Sequence, residues 1–204
     1  MYTIIHKPDA ESHELAKNVS AELKRLGIKN SISKDLYDES ELIIAVGDDK
    51  FILRAFRDIG KKQISLFAVS SGQSFLAQAN ALNFKHYLSL IKKNKYILFK
   101  RARLVAKFDK STTPIALNDI GLFSSKSASL LKYSLILNNE LFWKETSDGL
   151  IISTPTGSTG YSLSAGGPII LDEPNIITLT SISSLEKHPS VIVSDGTKIR
   201  VDDI

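Results

Sequence analysis

The sequence predicts an α/β domain with a Rossmann-like parallel sheet over residues 1–95, followed by a mainly β domain of the β-sandwich type over residues 96–204. Two observations support this fold class. In the first half, apolar runs typical of buried parallel strands alternate with helical segments, as in a doubly wound sheet. In the second half, the apolar runs are short and are separated by turn residues, as in all-β domains.

The first domain is predicted to begin with the strand Tyr2–Ile5 and the amphipathic helix Glu11–Leu26. Apolar residues recur in that helix at steps of three and four, and Gly27 stands where a helix C-cap is expected. A weak strand at residues 28–33 follows. The run Glu41–Val46 is then apolar enough to be buried on both faces of a parallel sheet.

Two loops of the first domain are predicted to share one edge of this sheet. Residues 51–56 are predicted to be helical, residues 63–70 to form a strand, and residues 83–93 to form another helix. The carboxyl ends of parallel strands meet at one edge, and ligands of such folds bind there. The loops Gly47–Lys50 and Ser70–Gly72 follow two of these strands and are therefore candidate ligand loops.

The second domain is predicted to start with Tyr96–Phe108, where the alternation of apolar and basic residues indicates a half-buried strand. Shorter strands are predicted at Leu130–Leu137, Leu141–Lys144, Leu150–Ser153, Ile176–Ile182, Val191–Ser194 and Ile199–Val201. The turn signals between these runs are Asn138-Asn139, Asp148-Gly149, Pro174-Asn175 and Asp195-Gly196.

Composition narrows the class of function. The chain has no cysteine, which excludes disulfides and thiolate metal sites. The formal charge is +4, but much of the excess lies in separated lysine pairs such as Lys61-Lys62 and Lys92-Lys93, which a solvated surface also explains, so no nucleic-acid partner is predicted. No segment reaches the roughly 18 uninterrupted apolar residues of a membrane span, and the N-terminus does not resemble a signal peptide. A cytoplasmic protein without a membrane partner is expected.

The stretch Thr154–Pro168 packs glycines and small hydroxylated residues more densely than any other part of the chain. Glycines let a backbone approach a ligand closely, and hydroxyl groups beside free amides suit ribose or phosphate. An ordinary surface turn is the alternative, in which Thr156 or Ser158 caps a short helix over Tyr161–Ala165. Composition by itself leaves both interpretations open.

Two acidic sites accompany this stretch. Asp48 and Asp49 stand in a turn after a buried strand, next to Lys50. A carboxylate there can accept a sugar hydroxyl proton or hold a magnesium ion, with Lys50 facing a phosphate, or it can simply cap a helix. Asn118-Asp119 offers an amide and a carboxylate that can bind a base or a ribose, or simply form a turn. The four histidines lack metal-ligand spacing and the chain has no cysteine, so no structural zinc site is predicted and the histidines are interpreted as surface or packing residues.

Taken together, three motifs resemble the NAD kinase family. Asp148–Pro168 is similar, almost residue for residue, to the glycine-rich signature of that family. Val46–Phe51 stands where the family has Gly-Gly-Asp-Gly-Thr-Phe, and Ala116–Asp119 stands where it has Ala-Leu-Asn-Glu. The order of the motifs agrees, and the resemblance extends over nearly the whole chain.

The resemblance implies a kinase that phosphorylates the 2′-hydroxyl of the adenosine ribose of NAD to give NADP. ATP or polyphosphate is the implied donor, together with a divalent metal ion such as Mg²⁺, and a homo-oligomer, a dimer or a tetramer, is implied. Asp48 is the implied catalytic base, and Gly47, Asp49 and Lys50 are the implied donor-phosphate residues. The implied substrate-binding residues are Asn118, Asp119, Asp148, Thr156, Thr159, Gly160, Tyr161 and Ser164.

Departures from the family pattern keep other functions open. The turn Val46-Gly47-Asp48-Asp49 carries side chains at two positions where the family has glycine, and Asp49 adds negative charge where donor phosphates are expected. Lys50 is expected to offset that charge. The alternatives are a non-catalytic dinucleotide-binding homologue with a regulatory role and a related kinase that acts on a lipid or a sugar.

Overall fold

The computed structural model describes residues 1–33, 40–60, 62–171 and 175–203. The chain groups into two compact units, Met1–Phe99 and Lys100–Ile204. This grouping follows contacts in space, whereas the division near residue 95 is a boundary predicted from composition. Within the described ranges, no helix combines the length and the apolar character needed to cross a membrane.

A five-stranded parallel sheet forms the centre of the first unit. Its strands are β1 (Tyr2–His6), β2 (Asn30–Ile32), β3 (Leu42–Val46), β4 (Ser65–Ser70) and β5 (Ala79–Asn80). They are arranged in the order β2-β1-β3-β4-β5, and every pair of neighbours is parallel. The Rossmann-like parallel sheet expected from the sequence is therefore confirmed.

Helices cover both faces of this sheet. They are α1 (Ala10–Arg25), α2 (Asp49–Ile59) and α3 (Phe84–Lys92). Helix α1 begins where the Asp9 carboxylate accepts the Ser12 amide at 2.8 Å. It ends before Gly27, whose φ of +73° lies in the left-handed region that glycine adopts without strain.

The core explains why the strands of the first unit read as unbroken apolar runs. Ile4 and Ile44 face the side of the sheet covered by α1 and α3, where they belong to one buried cluster with Leu23 of α1. Their chain neighbours, among them Ile43, face the other side and pack against Ala55 of α2. Each such buried isoleucine or leucine stabilises the fold by about 1.5–3 kcal/mol.

The second unit contains antiparallel sheets. Its strands are β6 (Lys107–Phe108), β7 (Ser111–Thr112), β8 (Asp119–Phe123), β9 (Leu131–Leu137), β10 (Glu140–Ser147), β11 (Gly149–Ser153), β12 (Ile176–Ile182), β13 (Val191–Ser194) and β14 (Ile199–Asp202). One sheet has the order β10-β9-β14 and another the order β13-β12-β11-β8, while β6 and β7 pair separately. Side chains of both larger sheets, including Leu135, Leu150 and Leu179, share one buried core. The predicted mainly β, sandwich-type fold is confirmed.

A two-residue hairpin connects β9 to β10. Asn138 and Asn139 have φ values of +52° and +70°, as a turn with two left-handed residues requires. Asparagine tolerates this conformation better than most residues. The turn predicted at Asn138-Asn139 is present for this reason, whereas Pro174 of the predicted Pro174-Asn175 turn lies outside the described residues.

The strand predicted for Tyr96–Phe108 is wrong. All of these residues are described, but backbone pairing is confined to an isolated bridge between Leu104 and Ala116 and to the short ladder of Lys107–Phe108 with β7. Alternation of apolar and basic side chains stabilises a strand only where a partner strand is available for its amides and carbonyls. The remainder of this segment is irregular.

Candidate functional site

The Asp48 carboxylate lies at the carboxyl edge of the parallel sheet, directly after β3. Its Oδ1 accepts the Phe51 amide at 2.9 Å, so Asp48 is the N-cap of α2. Its Oδ2 lies 3.0 Å from Nζ of Lys7, which follows β1. The Phe51 amide and the Lys7 ammonium group hold the pKa of Asp48 below its usual value. The carboxylate therefore stays ionised at neutral pH and can act as a proton acceptor.

Tight packing surrounds the turn that carries Asp48. A Cβ added to Gly47 would lie 3.0 Å from Cδ1 of Phe51 and 3.1 Å from Cβ of Lys7. Glycine thus lets β1 and α2 approach the turn closely. Val46, which stands where the family has glycine, is fully buried in the core. Its side chain therefore points into the core and is not exposed at the carboxyl edge of the sheet.

Asp49 organises a neighbouring loop. Its carboxylate accepts the Ser74 hydroxyl in a short hydrogen bond, the Phe75 amide at 3.0 Å and the Leu76 amide at 3.3 Å. Ser74 and Phe75 line a cavity of about 520 Å³, whose lining residues lie between Ser70 and Asn83. The charge of Asp49 is thus compensated by three donors of the protein, whereas Lys50 is exposed.

In the second unit, the backbone of the glycine-rich stretch is fastened to residues 117 and 118. The Thr154 hydroxyl donates to the Leu117 carbonyl at 2.6 Å, and the Thr154 amide donates to the Asn118 carbonyl at 2.8 Å. Gly157 lies directly against that carbonyl, since a Cβ added to Gly157 would overlap its carbon and oxygen atoms. Only glycine therefore fits at residue 157.

Asn118, Asp119 and Gly160 surround one small space. A Cβ added to Gly160 would lie 3.7 Å from Oδ2 of Asp119 and 3.8 Å from Nδ2 of Asn118. The Oδ1 atom of Asn118 is buried and accepts no hydrogen bond from any described residue. Burial also raises the pKa of Asp119. A buried acceptor without a donor costs about 1–3 kcal/mol.

The segment after Pro155 forms a short 3₁₀ helix, Thr156–Thr159, and one helical turn, α4 (Tyr161–Ser164). Neither begins with a side-chain cap, because Pro155 and Gly160 occupy the capping positions. The Ser158 hydroxyl instead accepts the Ile170 amide at 2.7 Å. The alternative in which Thr156 or Ser158 caps the helix is therefore wrong.

Sequence reasoning missed Arg101 as a neighbour of this stretch. Its Nη1 donates to the Thr156 hydroxyl at 3.1 Å. Arg101 lies in the segment that was predicted to be a strand with outward basic residues, so its direction toward Thr156 could not be inferred. The contact places a guanidinium group beside a predicted substrate-binding hydroxyl.

The other predicted substrate-binding residues differ in their surroundings. Tyr161 is half exposed and stacks on Phe123, with ring centroids 6.0 Å apart and planes 18° apart. Thr159 and Ser164 are exposed on the same short helices. Asp148 is exposed at the end of β11 opposite Thr154. The structure thus groups Asn118, Asp119 and Gly160, and it does not bring Asp148 to them.

Comparison with known proteins identifies relatives of this chain. Residues 117–203 match the family model described as the ATP-NAD kinase C-terminal domain. A protein named NAD kinase from Bacteroides fragilis is 32% identical over 208 residues, which cover 96% of this chain and 70% of that protein. One of the same name from Flavobacterium psychrophilum is 35% identical over 181 residues, which cover 85% of this chain and 61% of that protein.

Solved structures have the same fold. An NAD kinase from Archaeoglobus fulgidus in complex with ATP is 26% identical, with a TM-score of 0.79 over 98% of this chain and 79% of that one. Yeast NADH kinase complexed with NADH is 22% identical, with a TM-score of 0.81 over 98% of this chain and 71% of that one, which shows likeness of fold.

The chain spans about 61% of the length of several relatives, including those from Flavobacterium psychrophilum and a Marinomonas species. The match to the Bacteroides fragilis protein nevertheless extends over more than two thirds of both sequences. Family model, relatives and fold agree with one another and with the motifs. The chain therefore belongs to the NAD kinase family.

Proposed function

We propose that this chain transfers a phosphoryl group from ATP or polyphosphate to the 2′-hydroxyl of the adenosine ribose of NAD, giving NADP. The observation that carries the proposal is the grouping of Asn118, Asp119 and Gly160, in which Nδ2 of Asn118 and Oδ2 of Asp119 would lie within 4 Å of a Cβ on Gly160. Oδ1 of Asn118 is buried there without a donor among the described residues. An adenosine moiety offers the amino and hydroxyl donors that such a group of acceptors requires. The names of the relatives support the same substrate.

Asp48 is proposed as the base. As the 2′-oxygen bonds to the terminal phosphorus of the donor, the bond from that phosphorus to its bridging oxygen breaks. The hydroxyl proton passes to the Asp48 carboxylate, and the shortened donor leaves with the bonding electrons. Phosphoryl transfer depends mainly on positioning and on compensation of charge, so one ionised carboxylate and well-placed donors suffice.

The proposed dinucleotide site comprises the residues that the resemblance implies. Asn118 and Asp119 would bind the adenosine part, and Gly160 would let the ligand approach the backbone between them. Tyr161 would offer the exposed part of its ring as an apolar surface. The remaining proposed contacts are Asp148, Thr156, Thr159 and Ser164.

The donor side is proposed at the turn of Gly47. Asp49 would act there through the Ser74–Leu76 loop that it holds, and Lys50 would supply an exposed positive charge. The described residues contain no group of three His, Asp or Glu side chains that could hold a metal ion. They do not fit a metal site of their own, so the implied divalent ion is proposed to enter bound to the donor phosphates, as Mg²⁺ commonly does.

The test is NADP formation by the full chain with NAD, Mg²⁺ and either ATP or polyphosphate. Asp48→Asn is expected to lower kcat by about 10²–10⁴-fold, the range attributed to general base catalysis. Asp58→Asn is the matched control, because Asp58 pairs with Arg54 on the exposed side of the same helix. Absence of NADP with every donor would overturn the proposal, and NAD binding without turnover would favour the regulatory homologue.

Assembly and location belong to the same proposal. A homo-oligomer, a dimer or a tetramer, is proposed from the family resemblance, and a cytoplasmic location is proposed from composition. Light scattering of the purified chain across a concentration series measures the oligomeric state directly. A single monomeric mass at every concentration would contradict it.

A further inference from the structure

Lys7 is the basic residue that contacts the candidate base, although no motif of the sequence points to it. It follows β1, and its amide donates to the Val46 carbonyl at 2.9 Å, which fixes its backbone beside the turn of Gly47. Its Nζ lies 3.0 Å from Oδ2 of Asp48 and 3.2 Å from Oδ2 of Asp9. The ammonium group thus bridges the N-caps of α1 and α2.

We propose that Lys7 is a positioning residue for the phosphoryl transfer proposed above, and that it holds the Asp48 carboxylate in the orientation that accepts the proton. This inference rests on the proposed function, because it assigns a role toward the same base. It goes beyond that function in naming a residue that the glycine-rich motifs do not include.

The first support is geometric. Each oxygen of the Asp48 carboxylate has a different partner, the Phe51 amide on Oδ1 and the Lys7 ammonium group on Oδ2. With both oxygens held, rotation about the side-chain bonds of Asp48 would break a contact. Each carboxylate oxygen retains a further lone pair, so the two contacts leave room for a hydroxyl donor.

The second support is that the turn is shaped for Lys7. A Cβ added to Gly47 would lie 3.1 Å from Cβ of Lys7, a separation closer than side chains usually reach. Glycine at this position therefore lets the lysine stem pass beside the turn to Asp48. Glycine at residue 47 thus leaves room for Lys7 as well as for Phe51, whose Cδ1 would lie 3.0 Å from the same Cβ.

The third support is electrostatic. Hydrogen bonds with Asp48 and Asp9 raise the pKa of Lys7, while the Phe51 amide and Lys7 lower the pKa of Asp48. The pair is therefore fully ionised at neutral pH. Because both side chains are more than 40% exposed, solvent screens the attraction, and the pair is expected to contribute little to folding.

Three other titratable groups near this edge, His6, His13 and Asp49, have partners of their own. His6 and His13 hydrogen-bond to each other at 3.1 Å between ring nitrogens, and Asp49 accepts from the Ser74–Leu76 loop. Lys50 is exposed on α2. Asp9 is thus the additional charged group in contact with the Lys7 ammonium group among the described residues.

The first experiment compares the kinetics of Lys7→Met and Lys7→Arg with those of the full wild-type chain. Lys7→Met is expected to lower kcat by about tenfold to a hundredfold with an unchanged KM for NAD, since small misplacements of a catalytic group can cost about a hundredfold. Lys7→Arg should restore part of the rate. Lys17→Met is the control, because Lys17 pairs with Glu14 on α1.

The second experiment follows the Asp48 carboxyl by carbon NMR as pH is lowered, with Asp48→Asn used to assign the signal. In Lys7→Met the pKa of Asp48 should rise toward its ordinary value, while Lys17→Met should leave it unchanged. An unchanged kcat in Lys7→Met, or an unchanged pKa of Asp48, would overturn the inference. Failure of the proposed function is distinguishable from failure of this inference. In that case the wild-type chain forms no NADP, while the pKa of Asp48 still differs between the wild type and Lys7→Met.

Discussion

At the scale of single residues, the acidic side chains of the motifs have different tasks. Asp48 caps α2 and faces Lys7, whereas Asp49, its chain neighbour, binds a loop. Asp119 is half-buried without a cation among its described neighbours that lowers its pKa. Three identical aspartate side chains thus have three different environments, because the hydrogen-bond donors around each carboxylate differ.

The raised pKa of Asp119 predicts an effect on stability. A carboxyl group whose pKa is higher in the folded than in the unfolded chain stabilises the fold below its unfolded pKa, and this contribution is lost as pH rises through the folded pKa. At pH 7 the charged group is therefore unfavourable to folding. Asp119→Asn is expected to raise the free energy of unfolding at pH 7, with a smaller difference near pH 4.

Urea denaturation of both chains at the two pH values measures this difference. Asp195→Asn, a change in an exposed turn, serves as the control and should have no comparable effect. A lower free energy of unfolding for Asp119→Asn at pH 7 would show that the carboxylate has a stabilising partner. In the absence of urea, the affinity of Asp119→Asn for NAD is expected to be lower than that of the wild type.

At the scale of elements, glycines decide how closely strands and loops approach. Gly157 lies against the Asn118 carbonyl, and Gly121 and Gly149 lie under the ring of Phe123, which in turn stacks on Tyr161. A Cβ added to Gly121 or to Gly149 would lie less than 3.0 Å from the ring of Phe123. The glycines of this unit therefore shape the proposed pocket by removing side chains.

Gly157→Ala tests this role. The added methyl group would meet main-chain atoms of Asn118, which cannot rotate away, so the 3₁₀ helix or β8 must shift. The expected loss of stability is about 1–3 kcal/mol, as for other overpacked sites, together with loss of NAD binding. Thermal unfolding and calorimetry measure the two effects.

Gly196→Ala provides the comparison, because a Cβ there would come no closer than 3.9 Å to the Ser194 hydroxyl. It should leave both stability and NAD binding near those of the wild type. Equal behaviour of Gly157→Ala and Gly196→Ala would contradict the assignment of Gly157 to a tightly packed binding loop.

At the scale of the whole molecule, ligand binding should stabilise the folded chain. A ligand that binds only the native state contributes about 2.7 kcal/mol when its concentration is a hundred times its Kd. NAD is therefore expected to raise the unfolding temperature of the full chain progressively with concentration. Differential scanning fluorimetry with NAD from below to well above its Kd measures this shift.

Asn118→Ala should abolish the shift without lowering the stability of the free chain, because it removes a buried acceptor that no described residue satisfies. Asn175→Ala, an exposed change, should keep the shift. An equal NAD-dependent shift in Asn118→Ala and the wild type would exclude Asn118 from the site.

The order and type of the main elements could be predicted from the sequence because they depend on periodicity. Runs such as Glu41–Val46 are apolar on consecutive residues, since both faces of the parallel sheet are covered. The same criterion gave a wrong prediction for Tyr96–Phe108. Its side chains alternate as in a strand, but the segment has no continuous partner strand to pair with. Local pattern cannot report whether a partner exists.

By itself, the sequence determined the family, the two-part α/β and β organisation, and the residue types available for binding, because these depend on local composition and on the order of motifs. The tertiary structure decided which atoms meet. Lys7 reaches Asp48, Asp49 holds the Ser74–Leu76 loop, and Asn118 is left with a buried acceptor. These contacts join residues distant in sequence, so their distances and burial depend on how the strands align.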